Sequence, residues 1–125
     1  MSDLESILSK TKEPELPIFI KWCEFLKCFS HLSDRMPKKS RFTYSNRMNN
    51  LALDLIEDLV EARYSRNKTS VLKSANLRLE KLRVLFRICH ESKLISNDSY
   101  KHAAYSLNEV GKMLGGWLKH QEQKA

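Results

Sequence analysis

The sequence has little glycine and little proline, with three residues of each in a chain of 125. Sandwiches and barrels built from many short strands need turns rich in these residues, so their scarcity argues against such folds. No apolar run approaches the roughly 20 residues that cross a membrane. The first residues also lack the apolar core of a signal peptide. We therefore expect a cytoplasmic protein with a single domain, since one core usually takes about 100 to 150 residues.

Motifs of catalysis and metal binding are equally scarce. Cys23, Cys28 and Cys89 form no CxxC pair and have apolar neighbours, which favours buried free thiols in a reducing compartment. The four histidines have no ligand spacing such as HExxH. Motif spacing yields no set of nucleophile, base and stabilising group. The sequence therefore predicts neither an enzyme nor a cofactor, although a metal site assembled across helices stays an open alternative.

Two smaller features receive structural interpretations. Gly111 and Gly115 are four residues apart, which would let a neighbouring helix pack closely. A group of acidic residues is interpreted as a solvated face that balances nearby arginines. That group comprises Asp54, Glu57, Asp58 and Glu61.

Apolar residues recur at alternating steps of three and four in four segments, which predicts four amphipathic helices. The first stripe, which Pro37 ends, comprises Ile18, Trp22, Phe25, Phe29, Leu32 and Met36. The second, from about Phe42 to Tyr64 with Ser45 or Thr43 as candidate caps, comprises Met48, Ala52, Leu55, Leu59 and Ala62. The third, from about Ser70 to Lys93, comprises Leu72, Ala75, Leu79, Leu82, Phe86 and Cys89. The fourth, capped by Ser96 and ending near His120, comprises Tyr100, Ala103, Leu107, Val110, Leu114 and Trp117.

Four helices of comparable length with short connections predict an all-α fold, an antiparallel up-down-up-down four-helix bundle. The bundle domain is expected to cover residues 17–121. Residues 1–16 are expected to form a flexible, mildly acidic extension, and residues 122–125 a short tail.

The charge of the chain is positive and unevenly distributed. Lys and Arg number 22 against 15 Asp and Glu, a net charge of +7. Residues 35–47 contain five basic residues and no acid, and residues 63–87 contain eight basic residues and one acid, Glu80. Such clusters favour polyanion partners, above all nucleic-acid phosphates. The alternative is a solvated surface that aids solubility, and charge alone does not decide between the two.

The predicted third helix contributes half of the candidate nucleic-acid contacts. Lys73, Arg83 and Arg87 lie along one side of it, and arginines one turn apart can follow successive phosphates. Alternatively, these arginines form ion pairs with Glu80 or with acids of the second helix, which are worth little at a surface. The complete candidate set comprises Lys38, Lys39, Arg41, Arg66, Lys68, Lys73, Arg78, Lys81, Arg83 and Arg87.

Aromatic residues accompany the basic runs. Phe42, Tyr44 and Tyr64 are candidates to stack on unpaired bases. For Phe42, packing in the core is the favoured expectation.

Some apolar residues fall outside the four stripes. On a helical wheel they form second stripes on the second and third helices, which a lone bundle would leave in water. We therefore expect a homo-oligomer, the common outcome of self-association for such surfaces. The candidate contacts are Leu53, Ile56, Val60, Leu77, Val84 and Ile88.

Three segments together resemble one known family. They are RFTYSNRMNNLALDLIEDLVEARYSR, NLRLEKLRVLFRICHE and EVGKMLGGWLK, and the resemblance extends over about residues 35–120. The chain resembles the Avd family, the accessory variability determinant proteins of diversity-generating retroelements. It is similar in fold to the four-helix proteins encoded in intervening sequences of 23S ribosomal RNA genes.

The resemblance to Avd proteins implies a function without catalysis by the chain itself. Avd-like proteins form pentameric barrels with a basic surface, bind RNA or DNA and associate with the reverse transcriptase of the retroelement. The complex copies a template repeat into mutagenised cDNA, which replaces a variable repeat in a target gene. By position, Arg83 and Arg87 match basic residues of the family, so the candidate set also becomes a candidate polymerase contact. The alternative is a structural or host-interaction oligomer of the intervening-sequence type with no polymerase partner.

Overall fold

The computed structural model describes residues 15–124 and the side chains from Pro17 to Lys124. The first helix, α1, is Glu15–Arg35. The second begins as a short turn, Lys38–Ser40, continues through a π-helical segment, Arg41–Ser45, and becomes α2, Asn46–Tyr64. The third, α3, is Lys68–Glu91 and the fourth, α4, is Asn97–Lys124. The described residues contain no strand, so the all-α prediction is confirmed.

The four helices form an antiparallel bundle. Each helix packs against the next in the chain, and α4 returns to pack against α1. The Pro37 end of the bundle is where α1 meets the turn Lys38–Ser40 and α3 meets α4. The Asn67 end is where α2 meets α3. The predicted extension, residues 1–16, lies outside the described residues except for Glu15 and Leu16, which begin α1.

The core consists of the four predicted stripes. All of their members are buried except Tyr100, which is half-buried, and Phe19 adds a buried ring that the periodicity does not predict. The Phe25 and Phe86 rings meet edge to face with centroids 5.9 Å apart and join α1 to α3 across the bundle. Trp22 Nε1 donates a hydrogen bond to the carbonyl oxygen of Ala52 at 2.9 Å, which satisfies its only polar group.

The helix ends follow local chemistry. Asn67 Oδ1 accepts a hydrogen bond from the Ser70 amide and caps α3. Ser96 Oγ accepts one from the Ser99 amide, which confirms its predicted role at α4. After α3, Lys93 adopts a left-handed conformation with φ 61°, and the Leu94 amide donates to the Cys89 carbonyl at 2.8 Å. This is the Schellman arrangement, here with a lysine where glycine is usual.

The start of the second helix differs from the prediction. Neither Ser45 nor Thr43 caps it, because the backbone is already helical at Lys38, directly after Pro37. Ser45 is buried instead and its hydroxyl is hydrogen bonded to the hydroxyl of Ser33 in α1. Phe42, expected in the core, is 87% exposed. It lies two residues, about half a turn, after the buried Ser40, on the side of the π-helical segment that faces away from the core.

Two further interpretations from the sequence are wrong. Cys28 is exposed, so only Cys89 of the three free thiols is buried, with Cys23 half-buried. Gly115 has no neighbouring atom within 4 Å of where a Cβ would lie, so it permits no close helix contact. Cys28 lies next to the buried Phe29 and Gly115 next to the buried Leu114. Because one residue along a helix turns the side chain by about 100°, a neighbour of a buried residue can face away from the core.

No helix in the described part of the chain combines the length and the apolar character that a membrane span needs.

Candidate nucleic-acid interface

Arg83, one of the three cations predicted along one side of α3, is hydrogen bonded to α4. Its Nη1 donates to Asn108 Oδ1 at 2.8 Å and its Nη2 to the Leu107 carbonyl at 3.3 Å. Its Nε lies 3.3 Å from Glu80 Oε1, an ion pair without hydrogen-bond geometry. A Cβ on Gly111 would overlap the guanidinium, so the missing side chain of that glycine makes room for the arginine. Arg83 therefore joins two helices.

Arg78 is paired with acidic residues of α2. It forms an ion pair with Asp58 and lies 4.0 Å from Asp54, measured from Nε to Oδ2. Asp58 is only 8% exposed, which corrects its interpretation as part of a solvated face. The prediction that these acids balance an arginine is confirmed for Asp58 and Asp54. Burial raises the pKa of the Asp58 carboxyl above its ordinary value of 3.8, although the hydrogen bond and charge of Arg78 act in the opposite direction.

Two more candidate cations close helix ends. Lys68 Nζ donates to the carbonyls of Ala62 and Arg63 at 2.7 and 2.8 Å, at the last turn of α2. Arg41 Nε donates to the Met36 carbonyl at 3.2 Å, just after α1. The C-terminal carbonyls of a helix carry partial negative charge and lack partners in the helix, so both cations stabilise the bundle.

The remaining six candidates are exposed, and within residues 17–124 no hydrogen bond or ion pair joins any of them to another helix. One of them, Arg87, pairs with Glu91 one turn later at 2.9 Å. That pair is worth little because both side chains are mostly exposed, so a phosphate can replace the carboxylate. The six are Lys38, Lys39, Arg66, Lys73, Lys81 and Arg87.

The bundle separates these six residues in space. Lys38 and Lys39 lie at the Pro37 end and Arg66 lies at the Asn67 end. The other three follow α3, and from Lys73 to Arg87 the helix rises about 21 Å. They share no single small site, and a polyanion would have to extend along α3 to reach all three.

Grooves flank α3 on both sides. The groove between α2 and α3 has a volume of about 770 Å³ and mixed charge, with Arg47 and Lys81 near Asp54 and Glu80. The groove between α3 and α4 is smaller, about 280 Å³, and includes Arg87 and Tyr100. Arg47 was outside the candidate set, and its position within the acid-free run 35–47 is the sequence signal that could have included it.

The predicted oligomer contacts lie on the outer surface of α2 and α3. Leu53, Val60, Leu77, Val84 and Ile88 are exposed, while Ile56 is half-buried against the core. Lys81 lies within the same stripe of α3, one turn from Leu77 and from Val84. An interface between chains centred on this stripe would cover Lys81. That residue therefore cannot satisfy both the predicted oligomer contact and the predicted nucleic-acid contact.

A third cavity of about 480 Å³ lies between α1 and α4 at the Pro37 end. Its floor is aromatic, formed by Phe25, Phe29 and Phe86, and its rim includes His31 and His102. Within residues 17–124 no three His, Cys, Asp or Glu side chains come together in a way that could hold a metal ion.

Comparison with known proteins places most of the chain in one family. A family model described as bAvd-like matches residues 18–121, which include all four helices almost to their ends. No curated protein matches the chain.

Proposed function

The chain belongs to the bAvd-like family, and from this we propose that it is a non-catalytic accessory protein of a diversity-generating retroelement. In this role it binds RNA or cDNA and the reverse transcriptase of the element. It thereby supports mutagenic reverse transcription and retrohoming. The proposal requires no cofactor, and the reverse transcriptase carries out the polymerisation.

The observation that carries the nucleic-acid part is the set of six exposed cations. Their side chains are not needed to hold helices together, in contrast to Arg41, Lys68, Arg78 and Arg83. Three of the six extend along α3, and phosphate contacts of this kind give affinity without sequence recognition. A net charge of +7 on each chain also favours encounter with polyanions.

We further propose that the chain assembles into a homopentameric barrel. The exposed apolar side chains of α2 and α3 support self-association, because a monomer would leave them in water. Assembly multiplies the positive charge of one chain and brings several α3 helices onto one particle. Such a particle can hold a nucleic acid and a polymerase together.

Charge reversal on α3 tests the nucleic-acid part. The double variant Lys73→Glu, Arg87→Glu should bind a single-stranded RNA or DNA oligonucleotide at least about tenfold more weakly by fluorescence anisotropy. Affinity decreases as salt is added, and the magnitude of the slope of log affinity against log salt should be smaller by about two, one for each lost phosphate contact. Arg83 is left unchanged because its replacement would disturb the contact between α3 and α4.

The matched control is Lys112→Glu, Lys119→Glu, which makes the same change in net charge on exposed positions of α4. Equal losses in the two variants would assign binding to net charge alone and contradict a site on α3. Weak, salt-independent binding by the unaltered protein would contradict nucleic-acid binding as a whole. Failure to copurify with the reverse transcriptase encoded beside its gene would contradict the polymerase partnership and favour the intervening-sequence alternative.

A further inference from the structure

The π-helical segment determines which way Phe42 points. In a regular α-helix Arg41, seven residues before Met48, would face the core, because seven residues make about two turns. The structure instead buries Ser45 and Ser40, which are five residues apart, as the wider π turn requires. This shift removes Arg41 from the core face. Phe42, two residues after Ser40, is then directed into solvent.

The segment is held in this position by several contacts. Ser45 is hydrogen bonded to Ser33, and Arg41 donates to the carbonyls of Asp34 and Met36 at the end of α1. Ser40 Oγ donates to the Pro37 carbonyl at 2.8 Å. The backbone beneath Phe42 is therefore anchored from both sides, and the exposed ring is a consequence of the fold.

The surroundings of Phe42 are basic. Lys38 and Lys39 precede it by four and three residues, about one helical turn, and both are exposed. Arg47, five residues later, is exposed as well, and no acid occurs from residue 35 to residue 47. An exposed aromatic ring among cations is typical of sites that bind single-stranded nucleic acid, where bases stack and the backbone meets positive charge.

We propose that Phe42 is a stacking platform for an unpaired base of single-stranded RNA or DNA, with Lys38 and Lys39 contacting the adjacent phosphates. The inference rests on the proposed function and adds a residue and a preference for single strands to it. A protein partner fits the ring less well, since the centres of protein interfaces are depleted of charged residues. A base in a duplex is already stacked on its neighbours and is not available to Phe42.

Three substitutions of Phe42 test the proposal. Phe42→Ala should weaken binding of a single-stranded RNA by about 10- to 100-fold in anisotropy titrations, the range for loss of one stacked base. Binding of the matching duplex should change less than about twofold. Phe42→Trp, which keeps a ring, should retain the wild-type affinity. Phe42→Leu, which keeps apolar surface without a ring, should behave as Phe42→Ala. The exposed ring contributes little to the core, so circular dichroism should show all three variants folded.

The control is Tyr105→Ala, which removes another exposed aromatic ring, on α4 outside the two basic runs. It should leave binding unchanged. A probe strand with a fluorescent adenine analogue should be quenched on binding by the wild type and by Phe42→Trp only. Three results would overturn the inference while leaving the proposed function intact. They are unchanged single-strand affinity of Phe42→Ala, wild-type affinity of Phe42→Leu, and a lower assembly mass of Phe42→Leu than of the wild type. Absence of binding by the wild type would instead remove the proposed function.

Discussion

At the scale of single residues, the neighbours of a cation decide what it does. Arg83 and Arg87 lie one turn apart on α3, yet Arg83 is hydrogen bonded to α4 while Arg87 is exposed beside Glu91. Gly111 permits the contact of Arg83, because its lack of a side chain leaves room for the guanidinium over α4. The same residue type therefore stabilises the bundle at one position and is available to a ligand at the next.

Two glycine substitutions test this account of Gly111. Alanine in a helix is worth up to about 1 kcal/mol over glycine, so Gly115→Ala should stabilise the protein by roughly that amount. Gly111→Ala gains the same helix propensity but displaces Arg83 from its partners, at about 0.5–1.5 kcal/mol for each lost hydrogen bond. In urea unfolding followed by circular dichroism, Gly111→Ala should be at least about 1 kcal/mol less stable than Gly115→Ala.

The background Arg83→Met supplies the control for this pair. There the two glycine substitutions should have nearly equal effects, since no guanidinium remains to be displaced. If Gly111→Ala stabilises the unaltered protein as much as Gly115→Ala does, the contact with Arg83 is of no energetic importance.

At the scale of helices, the contact between α2 and α3 contains a buried carboxyl. Asp58 lies next to Leu59 on α2 and pairs with Arg78 of α3. Removing a carboxylate from water disfavours its charged form, and the arginine favours it. Burial is the larger effect here, so the pKa of Asp58 is raised. Because the ion pair must offset desolvation of the acid, it adds little net stability at neutral pH.

Comparing the stability of the wild type with that of Asp58→Asn at different pH values tests whether burial outweighs the arginine. A raised pKa means that the folded state holds the proton more tightly than the unfolded chain does. The resulting stability is present below the ordinary pKa of 3.8 and is lost as pH rises through the higher folded value. The unfolding free energy of the wild type relative to Asp58→Asn should therefore fall as pH rises from about 3.8 towards neutral and then level off.

Denaturant unfolding at a series of pH values measures this difference. Asp54→Asn, which removes a more exposed carboxylate near the same arginine, controls for the loss of one negative charge. A wild-type advantage that grows with pH would mean that Arg78 outweighs burial, and our account of Asp58 would be wrong.

At the scale of the whole molecule, one of the exposed cations lies within the exposed apolar surface of α3. The exposed stripe of α3 contains Leu77 and Val84, each 57% exposed, with Lys81 between them. Covering the apolar side chains in an oligomer would also cover that lysine. We therefore propose that Lys81 lies within the interface between chains, and that Lys73, Arg87 and the region around Phe42 contact nucleic acid.

A charge placed in the stripe should disrupt assembly. Val84→Glu buries a carboxylate in the proposed interface, so its mass by light scattering should fall below that of the wild type while its helical content persists. Leu77→Glu should act in the same way. Gln123→Glu, which adds the same charge at an exposed position of α4, should leave the mass unchanged. A wild-type protein that is monomeric at micromolar concentration would contradict the interface outright.

The fold could be predicted almost completely from the order of residues along the chain. A spacing of three and four is a local property, and it predicted the core of all four helices. The residue types at Pro37 and Ser96, which are equally local, predicted the end of α1 and the cap of α4. The candidate site was predictable only as a set of cations. Whether Arg78 meets Asp58, or Lys68 meets the last carbonyls of α2, depends on distances between helices that periodicity does not contain.

The sequence by itself therefore determined four amphipathic helices, their order and a positive surface, because each follows from residue type and spacing. Tertiary structure alone decided which cations are free and that Phe42 is exposed. The cations are distinguished by partners on neighbouring helices, such as Asp58 for Arg78 and Asn108 for Arg83. Phe42 is directed away from the core in the π-helical segment, where one extra residue in a turn rotates every side chain before it relative to the core. Contacts with the end of α1 stabilise that turn, and they exist only once the helices have packed.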